Sequence, residues 1–220
     1  MNQTAVRVLQ LAFVLAASAT AYSFVASARD GEARRACTSM CALAPAYVGS
    51  NLSAPNLQLR DMDGREVQLS DFRGQTVVLV LWTTTCDSCK EQMPGLAQLG
   101  HILREDRRAV LLTVAVDESA DEVRRVLMKH TGTERPFSVL LDPESTWVLG
   151  RYGTKKFPET WIIDSSGVIR ARYDGARDWS SGLALDLLET VREGATCPVS
   201  VRDRAAMGPA ADVCRAAAAL

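Results

Sequence analysis

The sequence predicts an α/β domain with a central mixed sheet and helices on both faces. Apolar, β-branched runs at 76–82 and 109–116 have the length of buried strands, and each leads into a segment whose apolar residues recur at helical spacing. Two later strands, 159–164 and 168–173, are joined by the hairpin signal Ser165-Ser166-Gly167. Parallel crossovers followed by a hairpin produce a mixed sheet.

Composition limits the number of domains and the classes of partner. The 220 residues are 47% hydrophobic, which suffices for the core of one domain flanked by tails. Lys plus Arg number 25 and Asp plus Glu 26, so the net charge of −1 does not favour nucleic acid as a partner. The only histidines, His101 and His130, lie among charged neighbours in predicted helices, and we interpret both as solvent-exposed helix residues.

The N-terminal segment 1–28 is predicted to be a signal peptide or a membrane anchor. After Arg7 the chain carries no charge from Val8 to Ala28. The small-x-small triplets at 19–21 and 26–28 suit cleavage, and the sequence leaves cleavage and retention both open. A buried helix of a soluble protein is the alternative. Export would place the cysteines in an oxidising compartment.

The rest of the chain divides into a linker, a domain and a tail. Residues 29–54 lack periodicity and are predicted to be a linker, the domain is expected over 55–193, and 194–220 is expected to be a C-terminal tail. Within the domain the patterns predict a hairpin at 57–69, helices at 120–130 and 180–192, a strand at 137–141 and a helical turn at 142–149.

Two cysteines stand where the first strand passes into the first helix of the domain. The strand ends at Trp82, and Cys86 and Cys89 follow as a CxxC motif. The unpaired amides and positive end of a helix N-terminus stabilise a thiolate at Cys86, and Cys89 lies one turn further along. A disulfide between them closes a very short loop and adds little stability, which favours a redox role over a structural one.

Three motifs in this order resemble a known family. They are the hairpin segment 55–72, the strand ending in Trp82 with its CxxC and Lys90, and the segment 157–164, which is similar to a cis-proline loop and the strand after it. From about Asn51 to Glu193 the chain resembles the thioredoxin fold, and within it the exported thiol:disulfide oxidoreductases of the TlpA/ResA type. The resemblance covers the whole predicted domain.

The resemblance implies a role for each matched residue. Cys86 would attack a substrate disulfide, and Cys89 would resolve the mixed disulfide. Phe157-Pro158 would be a cis peptide that presents backbone groups to an incoming peptide. Trp82 would pack beside the dithiol and shape the docking surface, with a role in core packing alone as the alternative. Thr85 would flank the substrate.

Other positions near the thiols are expected to tune the redox couple. Asp87, Ser88, Lys90 and Glu91 surround the CxxC, but Asp87 disfavours a neighbouring thiolate and Lys90 favours it, so the direction of tuning stays open.

The chain departs from the family at three tuning positions. Thr85 replaces a usual aromatic residue, Gln92 replaces a frequent acid, and Val80 stands where relatives carry a buried acid or polar residue. Glu91 could replace that acid only if its side chain turned inward.

The resemblance implies no cofactor and no metal. The expected partners are exported proteins that carry thiols or disulfides, and a membrane electron donor that re-reduces the protein. The expected location is the periplasm, with anchorage to the inner membrane by residues 8–28 if they are retained. A role as a reductant, for example in cytochrome c maturation, follows by analogy alone.

The four remaining cysteines are expected to form structural disulfides. We favour the local pairs Cys37 with Cys41 and Cys197 with Cys214, and pairing between the two segments is the alternative. Passage of electrons from one of these pairs to Cys86 and Cys89 is a further possibility.

Three other functions compete with the redox enzyme. A zinc site would need a second well-spaced cysteine pair, and the CxxxC of Cys37 and Cys41 is a poor candidate. A copper carrier would need a histidine near the thiols. A non-catalytic docking module would hold Cys86 and Cys89 as a permanent disulfide.

Overall fold

The computed structural model of the protein describes residues 3–117, 119–195, 197–203 and 205–217. The helices are α1 (Gln3–Ala42), α2 (Asp87–Glu105), α3 (Ala120–Thr131), α4 (Gly182–Arg192) and α5 (Ala211–Ala217). The strands are β1 (Tyr47–Val48), β2 (Gln58–Asp61), β3 (Glu66–Gln68), β4 (Thr76–Trp82), β5 (Ala109–Ala115), β6 (Ser138–Leu141), β7 (Glu159–Ile163), β8 (Ile169–Asp174), β9 (Ser200–Arg202) and β10 (Ala205–Met207). A 3₁₀ turn spans Leu69–Phe72 and a π-helical segment spans Thr146–Arg151.

The strands form one mixed sheet, as the sequence predicts. The order among the described residues is β10-β9-β1-β8-β7-β4-β5-β6-β2-β3. Strand β4 pairs in parallel with β5 and antiparallel with β7, so it lies at the centre. All seven of its residues are buried, which explains its continuous apolar sequence.

The side chains of β4 alternate between two cores. Val78, Val80 and Trp82 pack in the cluster that includes Cys89 and Met93 of α2. Their neighbours on the strand point to the opposite face and a second cluster. Helix α2 is therefore seated on one face of the strand that precedes it.

The apolar part of α1 is exposed. Phe13 and Phe24 have 75% and 77% of their surface accessible. The helix is long and apolar enough to cross a membrane, and its apolar window is not buried in the protein. A signal sequence and a membrane anchor share these properties. Met1 and Asn2, which belong to the predicted signal or anchor, lie outside the described residues.

The linker predicted over 29–54 is wrong for the end of α1. The helix continues to Ala42, and its last turns pack on the domain. The hydroxyl of Tyr173 donates to the carbonyl of Met40 at 3.1 Å, and Arg177 Nε donates to the carbonyl of Leu43 at 2.9 Å. Strand β1 then joins the sheet beside β8. The buried apolar side chains of this segment give it tertiary partners that its lack of periodicity does not reveal.

The C-terminal segment is also part of the folded unit rather than a loose tail. Strands β9 and β10 extend the sheet beyond β1, and α5 packs against α1. The sheet therefore runs past both ends of the 55–193 domain predicted from sequence. Residues 218–220 of the predicted tail lie outside the described residues.

The disulfides outside the CxxC join the two ends of the chain. Cys37 is bonded to Cys197 and Cys41 to Cys214, each with a Cα–Cα distance of 4.8 Å. The favoured local pairing is thus wrong, and the alternative between segments is correct. Cys37 and Cys41 stand one turn apart on a continuous helix, where Cβ atoms are about 5–6 Å apart. A disulfide requires the two Cβ atoms to be about 3.5–4.5 Å apart. Cys37 and Cys41 are therefore too far apart along the helix to bond to each other.

We predict that removal of the first bridge in C37A/C197A lowers the free energy of unfolding by about 2–4 kcal/mol. With Cys41–Cys214 intact, the first bridge still closes a ring of roughly 20 residues in the unfolded chain. The matched control C86A/C89A opens only a four-residue loop and should lose less. Denaturant unfolding measures both, and non-reducing peptide mapping should join Cys37 to Cys197. A peptide pair linking Cys37 to Cys41 would contradict this pairing.

Candidate functional site

The CxxC lies at the N-terminus of α2, immediately beyond the central strand. Cys86 is the N-cap residue, and its sulfur accepts the backbone N–H of Cys89 at 3.1 Å. The two sulfurs form a disulfide, with the Cα atoms 5.2 Å apart. Cys86 is half-buried, whereas Cys89 is fully buried. An incoming thiol or disulfide can therefore reach Cys86 and not Cys89.

The charged neighbours of the CxxC neutralise each other. Lys90 Nζ lies 2.6 Å from the Asp87 carboxylate, and this hydrogen bond holds the pKa of Asp87 below its usual range. The Ser88 hydroxyl lies 3.4 Å from Cys86 Sγ. Glu91 is exposed, so it does not supply the buried acid that the family carries near the second thiol.

The expected cis peptide is present between Phe157 and Pro158. Strand β7 begins at the next residue, and Leu81 of β4 pairs with Glu159. This register places Pro158 beside the end of β4, where the CxxC follows. The carbonyl of Pro158 accepts the N–H of Gly175 at 2.8 Å, which ties the proline loop to the end of β8. The proline and the dithiol therefore share one end of the sheet.

Trp82 and Thr85 differ in access. Trp82 is fully buried, and its Nε1–H donates to Thr113 Oγ1 at 3.3 Å. A direct substrate contact, as expected for Trp82, does not fit this burial, and we assign it to packing beneath the active-site loop. Thr85 is exposed next to Cys86 and remains a candidate for contact with substrate.

A buried carboxylate that the sequence analysis missed organises the loop before Cys86. Asp117 Oδ2 accepts the backbone N–H of Thr84 at 2.9 Å, and its Oδ1 accepts the hydroxyls of Thr84 at 2.6 Å and Thr83 at 3.0 Å. The carbonyl of Thr83 in turn accepts the N–H of Cys86 at 3.3 Å. One signal was available: Asp117 follows β5, whose end lies beside the end of β4 because the two strands are parallel.

The positions expected to hold a tuning acid are apolar or neutral. Val80 is fully buried in the core. Gln92 is also buried, and neither its amide nitrogen nor its oxygen has a hydrogen-bond partner among the described residues. The dithiol thus lacks an ionisable neighbour at these two places.

Glu159 is a buried acid, but its hydrogen-bond partners lie on the face of the sheet opposite Cys89. Its Oε1 accepts Thr154 Oγ1 and Trp161 Nε1, both at 2.7 Å. Trp161 belongs to the core cluster opposite that of Cys89. Burial raises the pKa of Glu159 above its ordinary value.

A metal at the thiols would need further ligands beside Cys86 and Cys89. Within the described parts of the chain, no group of three or more His, Cys, Asp and Glu is arranged to hold a metal ion. His101 is exposed on α2, and the helix rise places it roughly 22 Å along the axis from Cys86.

The sequence matches a family model over most of the sheet. The model of the AhpC/TSA family aligns with residues 51–172, more than half of the chain. The chain belongs to the AhpC/TSA family. The matched range contains the CxxC and the cis-proline, which are the two halves of the site described above.

Two relatives with the name thiol-disulfide oxidoreductase ResA match the domain. The thiol-disulfide oxidoreductase ResA of Geobacillus thermodenitrificans is 33% identical over 123 residues, covering 56% of this chain and 67% of the relative. ResA of Bacillus subtilis is 29% identical over 150 residues, covering 68% and 79%. The expected resemblance to thioredoxin-like thiol:disulfide oxidoreductases is therefore confirmed.

Solved structures confirm the fold. The thioredoxin domain of a thiol-disulfide oxidoreductase from Bacteroides vulgatus superposes with a TM-score of 0.53 at 20% identity, covering 68% of this chain and 99% of that one. The pneumococcal exposed lipoprotein thioredoxin Etrx1 of Streptococcus pneumoniae gives 0.51 at 25% identity, covering 63% and 99%. The α1 helix and the C-terminal strands enlarge this chain beyond a thioredoxin domain.

We predict that D117A slows the reaction of reduced Cys86 with a small disulfide and lowers the free energy of unfolding by about 2–3 kcal/mol, because the Thr84 N–H and two hydroxyls lose a buried acceptor. D117N keeps one carbonyl oxygen and should lose less. Stopped-flow kinetics and urea unfolding measure the two effects. Wild-type values for D117A would contradict a role of Asp117 in the loop.

Glu159 also predicts a pH dependence of stability. A carboxyl whose pKa is raised by folding keeps its proton while the unfolded chain releases it, so stability falls as pH rises from about 4.3 through the raised value. E159Q keeps an oxygen to accept from Thr154 and Trp161 and cannot ionise. Its free energy of unfolding should fall less than that of the wild type above about pH 4. Parallel curves for the two proteins would refute this.

Proposed function

We propose that the protein exchanges the Cys86–Cys89 dithiol or disulfide with cysteines of exported proteins and acts on them as a reductant. The observation that supports this most directly is the asymmetry of the pair: a half-buried sulfur at a helix N-terminus with a fully buried partner one turn further. The helix N-terminus stabilises a thiolate on the accessible cysteine, which becomes the attacking group.

The reaction proceeds in two thiol exchanges. The Cys86 thiolate attacks a substrate disulfide, forms a mixed disulfide and releases one substrate thiolate. The Cys89 thiolate then attacks Cys86 Sγ, forms the Cys86–Cys89 disulfide and releases the second substrate thiolate. The substrate gains two electrons and the protein loses two. A membrane donor must later supply two electrons to reduce the Cys86–Cys89 disulfide again.

The substrate would dock on the surface around Cys86. Thr85 is exposed on one side, and the Phe157–Pro158 cis peptide lies at the same end of the sheet. Backbone groups of the proline loop can pair with an extended peptide. The paired charges of Asp87 and Lys90 leave the rim near neutral, so docking would depend on shape and backbone pairing more than on charge.

The location proposed is outside the cytoplasm, with residues 1–28 either cleaved or retained in the membrane. The exposed apolar stretch of α1 and two disulfides far from the CxxC support this, because such bridges persist in oxidising compartments. Cytochrome c maturation as the pathway rests on resemblance alone.

The experiment that tests exchange is the C89A variant. Without the resolving thiol, substrates should accumulate on Cys86 as mixed disulfides, which non-reducing electrophoresis and mass spectrometry detect. The control C86A retains Cys89, which is buried, and should trap far less. Absence of any adduct on Cys86 of C89A in exporting cells would contradict the proposal.

A further inference from the structure

Four arginines surround a second cleft at the end of the sheet opposite the CxxC. The Arg cleft has a volume of about 480 Å³, and its rim carries Arg65, Arg104, Arg107 and Arg135. It also includes Gln75, just before β4, and the start of β5, whereas Cys86 follows the other end of β4. Whatever the cleft binds is therefore held away from the dithiol.

The floor of the Arg cleft is apolar. Leu103 of α2, Leu111 of β5 and Phe137 line it, and each is buried to more than nine-tenths. Gly100 lets α2 approach the segment before β6 closely, since an added Cβ would lie 3.1 Å from the carbonyl oxygen of Pro136. An apolar floor with a few polar groups at its edge is the usual composition of a binding cleft.

The arginines reach the cleft from separate parts of the chain. Arg104 lies in the last turn of α2 and Arg107 just beyond it, where positive charge also complements the helix dipole. Arg65 comes from the β2–β3 turn and Arg135 from the segment before β6, so the helix dipole does not account for them. Such convergence is unexpected in a chain whose net charge is −1.

The acidic residues of the cleft are already engaged. Asp63 accepts both terminal nitrogens of Arg135, which lowers the pKa of Asp63, and it lies 3.7 Å from Arg65. Asp61 Oδ1 accepts the backbone N–H groups of Asp63 and Arg65 within the turn. Arg104 and Arg107 are exposed and have no ion pair in the part of the chain that the structure describes. The cleft therefore keeps an excess of positive charge above an apolar floor.

We propose that the Arg cleft binds an acidic segment of a partner protein, in which carboxylates flank a large apolar side chain. The apolar side chain would cover the floor formed by Leu103, Leu111 and Phe137. The guanidinium groups of Arg104 and Arg107 would donate paired hydrogen bonds to the carboxylates in bidentate geometry. The cleft at the end of the sheet has room for a peptide segment, and its charge selects an acidic one.

The test uses the full chain in nanodiscs of zwitterionic lipid and three synthetic peptides. The first carries glutamates around one phenylalanine, the second replaces the glutamates by lysine, and the third replaces the phenylalanine by serine. Calorimetric titration measures affinity for the wild type, for R104A/R107A and for the control R125A/R151A, which removes the same charge from exposed sites outside the cleft.

The acidic phenylalanine peptide should bind the wild type and R125A/R151A equally, and R104A/R107A about fivefold or more weakly. The lysine peptide should not bind, and the serine peptide should bind more weakly because the floor stays uncovered. Affinity should fall with added salt. Equal affinity for the two double variants, equal binding of the lysine peptide, or no binding of the acidic peptide would each overturn the proposal. Thiol exchange by R104A/R107A should equal that of the wild type, so the cleft and the redox site are tested separately.

Discussion

The burial of β4 on both faces and both edges is the constraint on which the active end of the molecule depends. Every residue from Thr76 to Trp82 is buried, and β5 and β7 pair with the strand along its length. A strand held in this way cannot slide by one residue without moving every side chain into the core cluster on the opposite face. The position of Cys86, four residues beyond the strand, follows from that register.

The same register assembles the other parts of the site. The parallel partner β5 ends beside β4 and delivers Asp117, which holds Thr83 and Thr84 through hydrogen bonds. The antiparallel partner β7 begins at the same end and delivers the cis peptide at Pro158. Thus three segments distant in sequence meet because the strands that carry them are neighbours, and catalysis needs no long flexible loop to bring them together.

Sequence reasoning identified the features that local chemistry determines. The CxxC, the strand before it and the proline before β7 follow from residue patterns and from the resemblance, and the structure contains each. The bridge of Cys37 to Cys197 depends on how α1 and the C-terminal strands pack, which no local pattern encodes. Asp117 was missed for a related reason, because an acid after a strand has no distinctive pattern until the loop that it contacts, here Thr83 and Thr84 after β4, is known.

The six cysteines have two different roles, because the two disulfides outside the CxxC are structural. These disulfides join the end of α1 to the C-terminal segment. The hydrogen bond from Tyr173 of β8 to the carbonyl of Met40 holds the same helix end on the sheet. A domain fixed in this way to a helix that could cross a membrane would present its dithiol at a constant orientation. Thiol exchange therefore requires Cys86 and Cys89 to alternate between dithiol and disulfide while the other four cysteines stay paired.

Acid-quenched alkylation of the protein in exporting cells, followed by peptide mass spectrometry, tests that requirement directly. We predict that Cys86 and Cys89 are found mainly as thiols and become a disulfide when substrate disulfides accumulate, while the Cys37–Cys197 and Cys41–Cys214 bridges remain intact. A Cys86–Cys89 bond that stays closed under every condition, including mild reductant, would contradict it.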